Sequence, residues 1–155
     1  MARPEVWLCR HGETEWSRDG RHTSHTDLPL TPAGEDEARR DPALAEWDYG
    51  DYEGRTTPEI REEVPGWTVW SHPSPGGETA EEVAQRADRV IERVLAQAAE
   101  RALVFSHSHF LRVLAARWLD ESPAFGERLV LDTATVSVLG WQRDARAVRR
   151  WNLPP

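Results

Sequence analysis

Three cationic or nucleophilic side chains follow two short apolar runs in this sequence. Arg10 and His11 come directly after the run at residues 6–9, and His107 follows the run at residues 102–105. Short apolar runs bounded by charge or glycine are typical of buried strands. Ligands of open α/β sheets bind beyond the carboxyl ends of parallel strands. An arginine and two histidines at two such ends therefore indicate a ligand site rather than packing.

The elements that would position these side chains are an alternation of strands and helices. Thr79 and Glu82 match a capping box, which predicts a helix start, and apolar residues recur at helical spacing from residue 83 to 98. A second helix is predicted directly after residues 106–109, and a terminal hairpin around residues 142–145. This alternation predicts an α/β sandwich, and 155 residues predict one domain over 1–155.

Composition excludes several classes of partner. The chain has 27 acidic and 19 basic residues and a formal net charge of −8, so it lacks the basic face that nucleic acids and anionic membranes require. One cysteine excludes a disulfide framework. The first residues are too short and polar for a signal peptide, and no apolar run approaches membrane-spanning length. We expect a soluble cytoplasmic protein that binds neither nucleic acid nor membrane.

Several motifs in order resemble those of the histidine phosphatase superfamily, the phosphoglycerate-mutase-like fold. Residues 8–14 read Leu-Cys-Arg-His-Gly-Glu-Thr, and the resemblance continues at residues 15–17, 26–31, 44–54, 76–79 and 105–107. The versions at residues 15–17 and 48–54 are most similar to the phosphatase branch that includes sedoheptulose bisphosphatase. The resemblance implies a three-layer α/β/α sandwich with a mostly parallel central sheet.

The resemblance also implies a role for each of four residues. His11 is expected to attack phosphorus as a neutral imidazole, its other ring nitrogen donating to the backbone. Arg10 is expected to hold phosphate oxygens, and a protonated His107 to stabilise the transition state from the opposite side. Glu46 is expected to protonate the leaving oxygen and then to activate water.

Further positions are implied to bind substrate or phosphate: Ser17, Thr23, Ser24, Tyr49 and Ser108. No metal or other cofactor is expected, because arginine and histidine would supply the positive charge that phosphoryl transfer needs. The implied activity is that of a metal-independent phosphatase acting on a small phosphorylated metabolite, such as a sugar phosphate, through a phosphohistidine.

Two departures from the family pattern stand out. Ser108 occupies a position where the family often has glycine, which would be strained if that position required a positive φ. The family's second phosphate-binding arginine, in a Ser-x-Leu-x-Arg-Ala-x-x-Thr stretch, has no match between Ala38 and Leu44. We hypothesise that Arg40 and Asp41 flank a missing segment of roughly 30 residues, the scale of a helix and a strand.

Other interpretations remain open. The alternative functions are a phosphoglycerate-type mutase, a non-catalytic phosphate-binding relative, and a metal-dependent hydrolase in which His107 and His109 lie on a strand. Trp67 and Trp70 are interpreted as core beneath a long loop, with a substrate lid as the alternative. Residues 59–63 are interpreted as a solvated acidic face.

Overall fold

The computed structural model describes residues 3–12, 18–22, 40–98 and 100–154. Its strands form one sheet in the order β2-β1-β3-β4. They are β1 (Glu5–Arg10), β2 (Arg101–Ser106), β3 (Val136–Gln142) and β4 (Ala145–Leu153). The helices are α1 (Thr57–Glu63), α2 (Ala80–Gln97) and α3 (Ser108–Trp118), with 3₁₀ turns at Pro42–Leu44, Gly50–Tyr52 and Pro123–Arg128.

The expectation of a mostly parallel sheet is wrong for this sheet. Only β1 and β2 run parallel, whereas β1 with β3 and β3 with β4 are antiparallel. The difference follows from the connections. The long helical connection between β1 and β2 allows a parallel pair, while the two-residue turn between β3 and β4 requires an antiparallel one. Arg143 opens that turn at φ 54°, and the predicted terminal hairpin is confirmed.

The helix starts follow local capping chemistry. The capping box predicted at Thr79 is confirmed, since its amide donates to Glu82 Oε2 at 2.8 Å and the Glu82 amide donates to Thr79 Oγ1 at 3.2 Å. Helix α1 was not predicted. Thr56 and Glu59 form a second capping box there, but Ile60 is the helix's one buried residue, so the segment shows no apolar period. The acidic residues of α1 are exposed, as expected of a solvated face.

The core lies between one face of the sheet and helices α2 and α3. Val6, Leu8 and Val104 point into it and are almost fully buried. Trp67 is 1% exposed and belongs to this core, as predicted. The opposite face carries Leu103 and Phe105, which are 59% and 64% exposed. A third layer is therefore not seen over these two side chains. Among the described helices, none has the length and apolar character to cross a membrane.

Candidate active site

Parallel pairing of β1 and β2 brings the two predicted chemical segments together. Arg10 lies opposite Ser106 in the register, and the His11 amide donates to the Ser106 carbonyl at 3.2 Å. The imidazole rings of His11 and His107 then face each other with their centroids 4.8 Å apart and their planes at 62°. The sequence prediction that these rings converge at one sheet edge is confirmed.

The His11 ring is held in a single tautomer. Its Nδ1 lies 2.7 Å from the Gly12 carbonyl oxygen. Because a carbonyl can only accept, Nδ1 carries the proton and donates it, which is the backbone hydrogen bond expected from the sequence. Burial is the largest influence on the pKa of His11 and lowers it; the nearby His107 and Arg10 act in the same direction, against the Gly12 hydrogen bond. The neutral ring is favoured, with a lone pair on Nε2.

His107 occupies the position preceding helix α3. Its carbonyl accepts from the Leu111 amide at 3.0 Å, and its ring stands at the helix N-terminus, where the backbone dipoles favour an anion. Burial and then the charge of Arg10 lower the pKa of His107. In the absence of phosphate, burial and Arg10 thus favour the neutral ring, and the protonated His107 implied by the resemblance for the transition state stays a prediction. A phosphate dianion beside His107 would raise this pKa again, since an opposite charge favours the protonated form.

Arg10 reaches the site from the end of β1. One of its terminal nitrogens donates to the Leu131 carbonyl, while its buried Nε has no hydrogen-bond partner among the described residues. Burial lowers the pKa of Arg10, and the charges of Glu46 and Asp132 oppose this effect. A guanidinium held in this way can bind the oxygens of a phosphoryl group, as the resemblance implies.

Glu46 is brought to the same place by the loop after the Pro42–Leu44 turn. Its side chain is 6% exposed and accepts three backbone N–H groups, from Trp47 at 2.9 Å, His109 at 3.1 Å and Phe110 at 2.8 Å. Burial raises the pKa of Glu46, although these three hydrogen bonds and Arg10 oppose the rise. A carboxyl group with a raised pKa can carry a proton that it later donates.

Arg86 fixes the loop that carries Glu46, and the sequence reasoning missed it. Its guanidinium binds both carboxylate oxygens of Glu78 at 2.7 Å and also donates to the Glu46 carbonyl at 3.2 Å. The Arg86 guanidinium also donates to the carbonyls of Ala43 and Ala45. No local pattern marks this arginine, because its carbonyl partners lie 40–43 residues away in the chain.

Tyr49 does not lie in the open site. It is 1% exposed, and its hydroxyl oxygen lies 2.6 Å from His109 Nδ1. Burial raises the pKa of Tyr49 well above its usual value and lowers that of His109 well below its usual value, so both side chains are neutral. In this structure the Tyr49 hydroxyl bonds to His109, which sequence reasoning had considered only as a metal ligand, and a substrate contact of Tyr49 stays a prediction.

His107 and His109 do not act as a strand pair. Helix α3 begins at Ser108, so the ring of His109 is rotated around the helix, away from His107. Within the described residues, no group of three or more His, Cys, Asp or Glu side chains is arranged to hold a metal ion. Ser108 is helical and is not among the described residues with positive φ, so the strain considered for it does not arise.

The remaining predicted positions fall outside these observations. Ser17, Thr23 and Ser24 lie outside the described residues.

Arg112 is a cation near the site that the sequence reasoning did not select. It donates to the carbonyls of Gly126 and Glu127 at 2.9 and 3.0 Å and stacks over Trp70 at 4.8 Å. These contacts hold it in place rather than leaving it to act as a second phosphate clamp.

A cavity of about 170 Å³ is lined by His109 but not by Arg10, His11, Glu46 or His107. His109 links it to the site, because the His109 amide binds Glu46 while its ring lines the cavity. Two buried nitrogens of lining residues, His22 Nε2 and Trp67 Nε1, have no hydrogen-bond partner among the described residues. The full lining is His22, Thr57, Arg61, Trp67, Thr68, Val69, Trp70, His109 and Glu127.

The chain matches one protein family over nearly its whole length. The model of the histidine phosphatase superfamily (branch 1) matches residues 6–40 and 37–154, in two parts that meet at residues 37–40. An acid phosphatase of Mycobacterium tuberculosis is 36% identical, over 90% of this chain and 87% of the relative. The sedoheptulose 1,7-bisphosphatase of Saccharomyces cerevisiae is 32% identical, over 74% of this chain and 67% of the relative.

Solved structures agree with this match. A Mycobacterium tuberculosis open reading frame product is 34% identical and superposes with a TM-score of 0.85, over 97% of this chain and 98% of that one. The relatives also contain residues that this chain lacks. The alignment with the acid phosphatase has 177 positions but includes only 90% of the 155 residues, about 140, so about 37 of its positions have no counterpart here.

Proposed function

The chain belongs to the histidine phosphatase superfamily (branch 1), and we propose that it hydrolyses a small phosphate monoester through a phosphohistidine on His11. Phosphatase activity itself accords with both relatives, whose names are those of phosphatases. The observation that carries the proposal is the single tautomer of His11, whose Nδ1 donates to Gly12 so that the lone pair of the ring is on Nε2, with the ring next to that of His107. A neutral imidazole with a free nitrogen is the form that attacks phosphorus.

In the first step, a bond forms between His11 Nε2 and phosphorus while the ester P–O bond breaks. The leaving oxygen takes the proton of Glu46, whose raised pKa suits a proton donor. Arg10 and His107 stabilise the negative charge on the equatorial oxygens, and the dipole of helix α3 adds to their effect. These groups supply positioning and charge, which is most of what phosphoryl transfer requires.

In the second step, the Glu46 carboxylate accepts a proton from water as the water oxygen bonds to phosphorus. The bond between phosphorus and His11 Nε2 breaks, which releases inorganic phosphate and regenerates the neutral ring. Glu46 ends protonated, ready for another turnover. One carboxyl group thus serves as acid and then as base, as the reversal of proton transfer between the two steps demands.

The cavity beside His109 is suited to the part of the substrate beyond the phosphate. A volume of about 170 Å³ holds about one six-membered ring, since an apolar cavity of ~150 Å³ binds benzene. Its lining offers aromatic faces from Trp67 and Trp70 together with polar groups from Arg61 and Glu127. A sugar phosphate has both an apolar ring face and hydroxyl groups. We therefore propose a sugar phosphate-like substrate.

Release of phosphate from sugar phosphates and from an aryl phosphate, with and without EDTA, tests this function. We expect release that EDTA leaves unchanged, together with an acid-labile protein-bound phosphate after rapid quenching. Release abolished by EDTA would favour the metal-dependent hydrolase. Transfer of phosphate to an added acceptor alcohol without release would favour the mutase, and phosphate binding without turnover would favour the non-catalytic relative.

We propose that the family's second phosphate-binding arginine lies in a segment that is missing between Arg40 and Asp41. The family match divides at residues 37–40, and about 37 positions of the acid phosphatase have no counterpart in this chain. These observations support the hypothesis of a missing segment between Arg40 and Asp41. The intact mass of the protein from its natural source tests it: a mass above 17.7 kDa by the weight of such a segment is expected. A mass of 17.7 kDa would refute it.

A further inference from the structure

In the loop that carries Glu46, the carbonyls of residues 43–46 each accept a side-chain donor. Arg86 donates to three of them, at 2.9, 2.9 and 3.2 Å, and Ser106 Oγ donates to the fourth, that of Leu44, at 2.6 Å. Every buried backbone carbonyl needs a hydrogen-bond partner. Because one guanidinium supplies three of these partners, a residue of helix α2 sets the path of the loop.

The Arg86 guanidinium uses all of its donors in this arrangement. Its Nε and one terminal nitrogen bind the two carboxylate oxygens of Glu78, each at 2.7 Å, and the remaining N–H groups bind the three loop carbonyls. The side chains of Arg86 and Glu78 are only 13% and 22% exposed. An arginine has five N–H donors in a fixed plane, whereas a lysine has three on one nitrogen. Only an arginine can therefore make these five bonds.

Glu78 holds the chain on the other side of Glu46. Its Oε2 accepts from the Asp48 amide at 3.0 Å, and its own amide donates to the Asp48 carbonyl at 2.9 Å. The Glu78 carbonyl accepts from Trp47 Nε1 at 2.9 Å. The backbone is thus bound to Arg86 up to Glu46 and to Glu78 directly after it.

The same arginine touches the turn that receives the Glu46 carboxylate. The His109 and Phe110 amides, which donate to that carboxylate, lie in the first turn of α3, where N–H groups have no carbonyl partner within the helix. The guanidinium carbon of Arg86 lies 4.9 Å from the centroid of the Phe110 ring. Arg86 therefore joins the loop that carries the carboxyl group to the helix end that binds it.

We propose that Arg86, oriented by Glu78, is a positioning residue for proton transfer by Glu46, a role that rests on the phosphatase reaction proposed above. Glu46 can give its proton only within hydrogen-bond reach of the leaving oxygen. A displacement of about 1 Å caused by a remote substitution can lower the rate by about 10²-fold. The contacts that hold Glu46 need no residue of the segment hypothesised between Arg40 and Asp41.

Arg86→Lys tests this role, because lysine keeps the positive charge beside Glu78 but cannot replace the five bonds. We expect kcat for an alkyl phosphate to fall by about 10–100-fold, with little change in KM. The first step with an aryl phosphate should be slowed much less, since its leaving oxygen needs little protonation. In the Glu46→Gln background, the same substitution should lower kcat by less than about twofold, because Arg86 acts through Glu46.

Arg117→Lys is the matched control. Arg117 binds both carboxylate oxygens of Asp88, at 2.9 and 3.2 Å, and the Glu121 carbonyl at 2.8 Å, so it makes bonds of the same kind between α3, α2 and a loop that does not carry Glu46. This variant should keep the parent's ratio of alkyl to aryl phosphate hydrolysis. A general loss of stability would affect both variants alike, and the circular dichroism of each checks its fold.

Hydrogen exchange gives a readout that does not depend on activity. The His109 and Phe110 amides should exchange faster in Arg86→Lys and at the parent rate in Arg117→Lys, because they are bound to the carboxylate that Arg86 positions. Unchanged exchange in Arg86→Lys, or equally faster exchange in both variants, would overturn the proposal. Equal losses for the two esters, or an undiminished loss in the Glu46→Gln background, would also overturn it. A parent that releases no phosphate would refute the proposed function, and exchange at these two amides would still decide whether Arg86 positions Glu46.

Discussion

The segment from His107 to His109 supplies one histidine to each of two different pairs. The rings of His107 and His11 are in edge-to-face contact at the sheet edge, with their centroids 4.8 Å apart. His109 instead bonds to the buried hydroxyl of Tyr49 at 2.6 Å. The first pair lies beside the charge of Arg10, and the second connects the core to the cavity. Two residues of the same type, two positions apart, thus have different environments because a helix begins between them.

The two pairs also differ in how far the pKa values of their histidines are lowered. Burial lowers the pKa of His11, His107 and His109, and the pKa of His109 is the one lowered well below its usual value. His107 has Arg10 as its other charged influence, whereas His109 is also affected by Arg112 and His22. An arriving phosphate could restore a proton to His107. His109, hydrogen-bonded to Tyr49, is suited to positioning the Glu46 carboxylate through its backbone amide.

The largest expected effect is on the first pair. His11→Ala should abolish the phosphoenzyme and lower kcat by at least about 10⁴-fold, because the nucleophile is lost. Rapid-quench labelling and steady-state rates measure both quantities. His72→Gln is the control, since His72 lies outside the site and bonds to Ser71. A His11→Ala protein that still forms protein-bound phosphate would assign the nucleophile to another residue.

The Glu46 carboxyl, which accepts from the His109 amide and whose charge influences His11, gives the next effect. Glu46→Gln keeps the shape but removes the proton donor, so hydrolysis of an alkyl phosphate should fall by roughly 10²–10⁴-fold. An aryl phosphate needs little protonation of its leaving oxygen, and its first step should be slowed much less. Burst kinetics separate that step from hydrolysis of the phosphoenzyme. Equal losses for the two esters would remove Glu46 from the acid role.

A smaller effect is expected from the second pair. Tyr49→Phe leaves His109 Nδ1 without its partner, which should lower the free energy of unfolding by about 1–3 kcal/mol. Urea denaturation measures this change, and KM for the phosphate ester should change little. If instead KM rises while the unfolding free energy stays the same, Tyr49 contacts substrate directly, as the family resemblance implies.

The pH profile gives the finest distinction. Attack requires neutral His11, whose lowered pKa places the acidic limb of kcat/KM below the usual histidine value of about 6.5. Proton donation requires protonated Glu46, whose raised pKa extends activity above the usual range of a carboxyl group. Activity should therefore fall on both sides of an acidic optimum, and Glu46→Gln should lose only the basic limb. An acidic limb at or above pH 6.5 would contradict the lowered pKa of His11.

Much of the site was predictable because its residues follow local patterns. Arg10 and His11 are adjacent to an apolar run, and His107 follows another, so strand ends alone placed them at one edge. The capping box at Thr79 and Glu82 marked the start of α2 by residue type and spacing. Glu46 came from the family resemblance, since no periodic pattern distinguishes it from the other 26 acidic residues.

The features that the sequence did not predict share a physical cause, because no local residue pattern marks them. The antiparallel pairing of β3 with β1 joins residues about 130 apart in the chain, and alternation within a strand carries no information on its neighbour's direction. Helix α1 buries one residue, so it has no apolar period to detect. Arg86 and Arg112 resemble surface arginines in sequence, because their carbonyl partners belong to distant loops.

The sequence by itself determined which residues could react and where the main strands and helices begin, since capping, turn chemistry and apolar spacing act over a few residues. Only the tertiary structure decided the environment of each reactive group. It buried Tyr49 against His109, lowered the pKa of His107 by burial, and left Leu103 and Phe105 exposed on the sheet face opposite the core. Burial and charge depend on residues far apart in the chain, which local spacing does not encode.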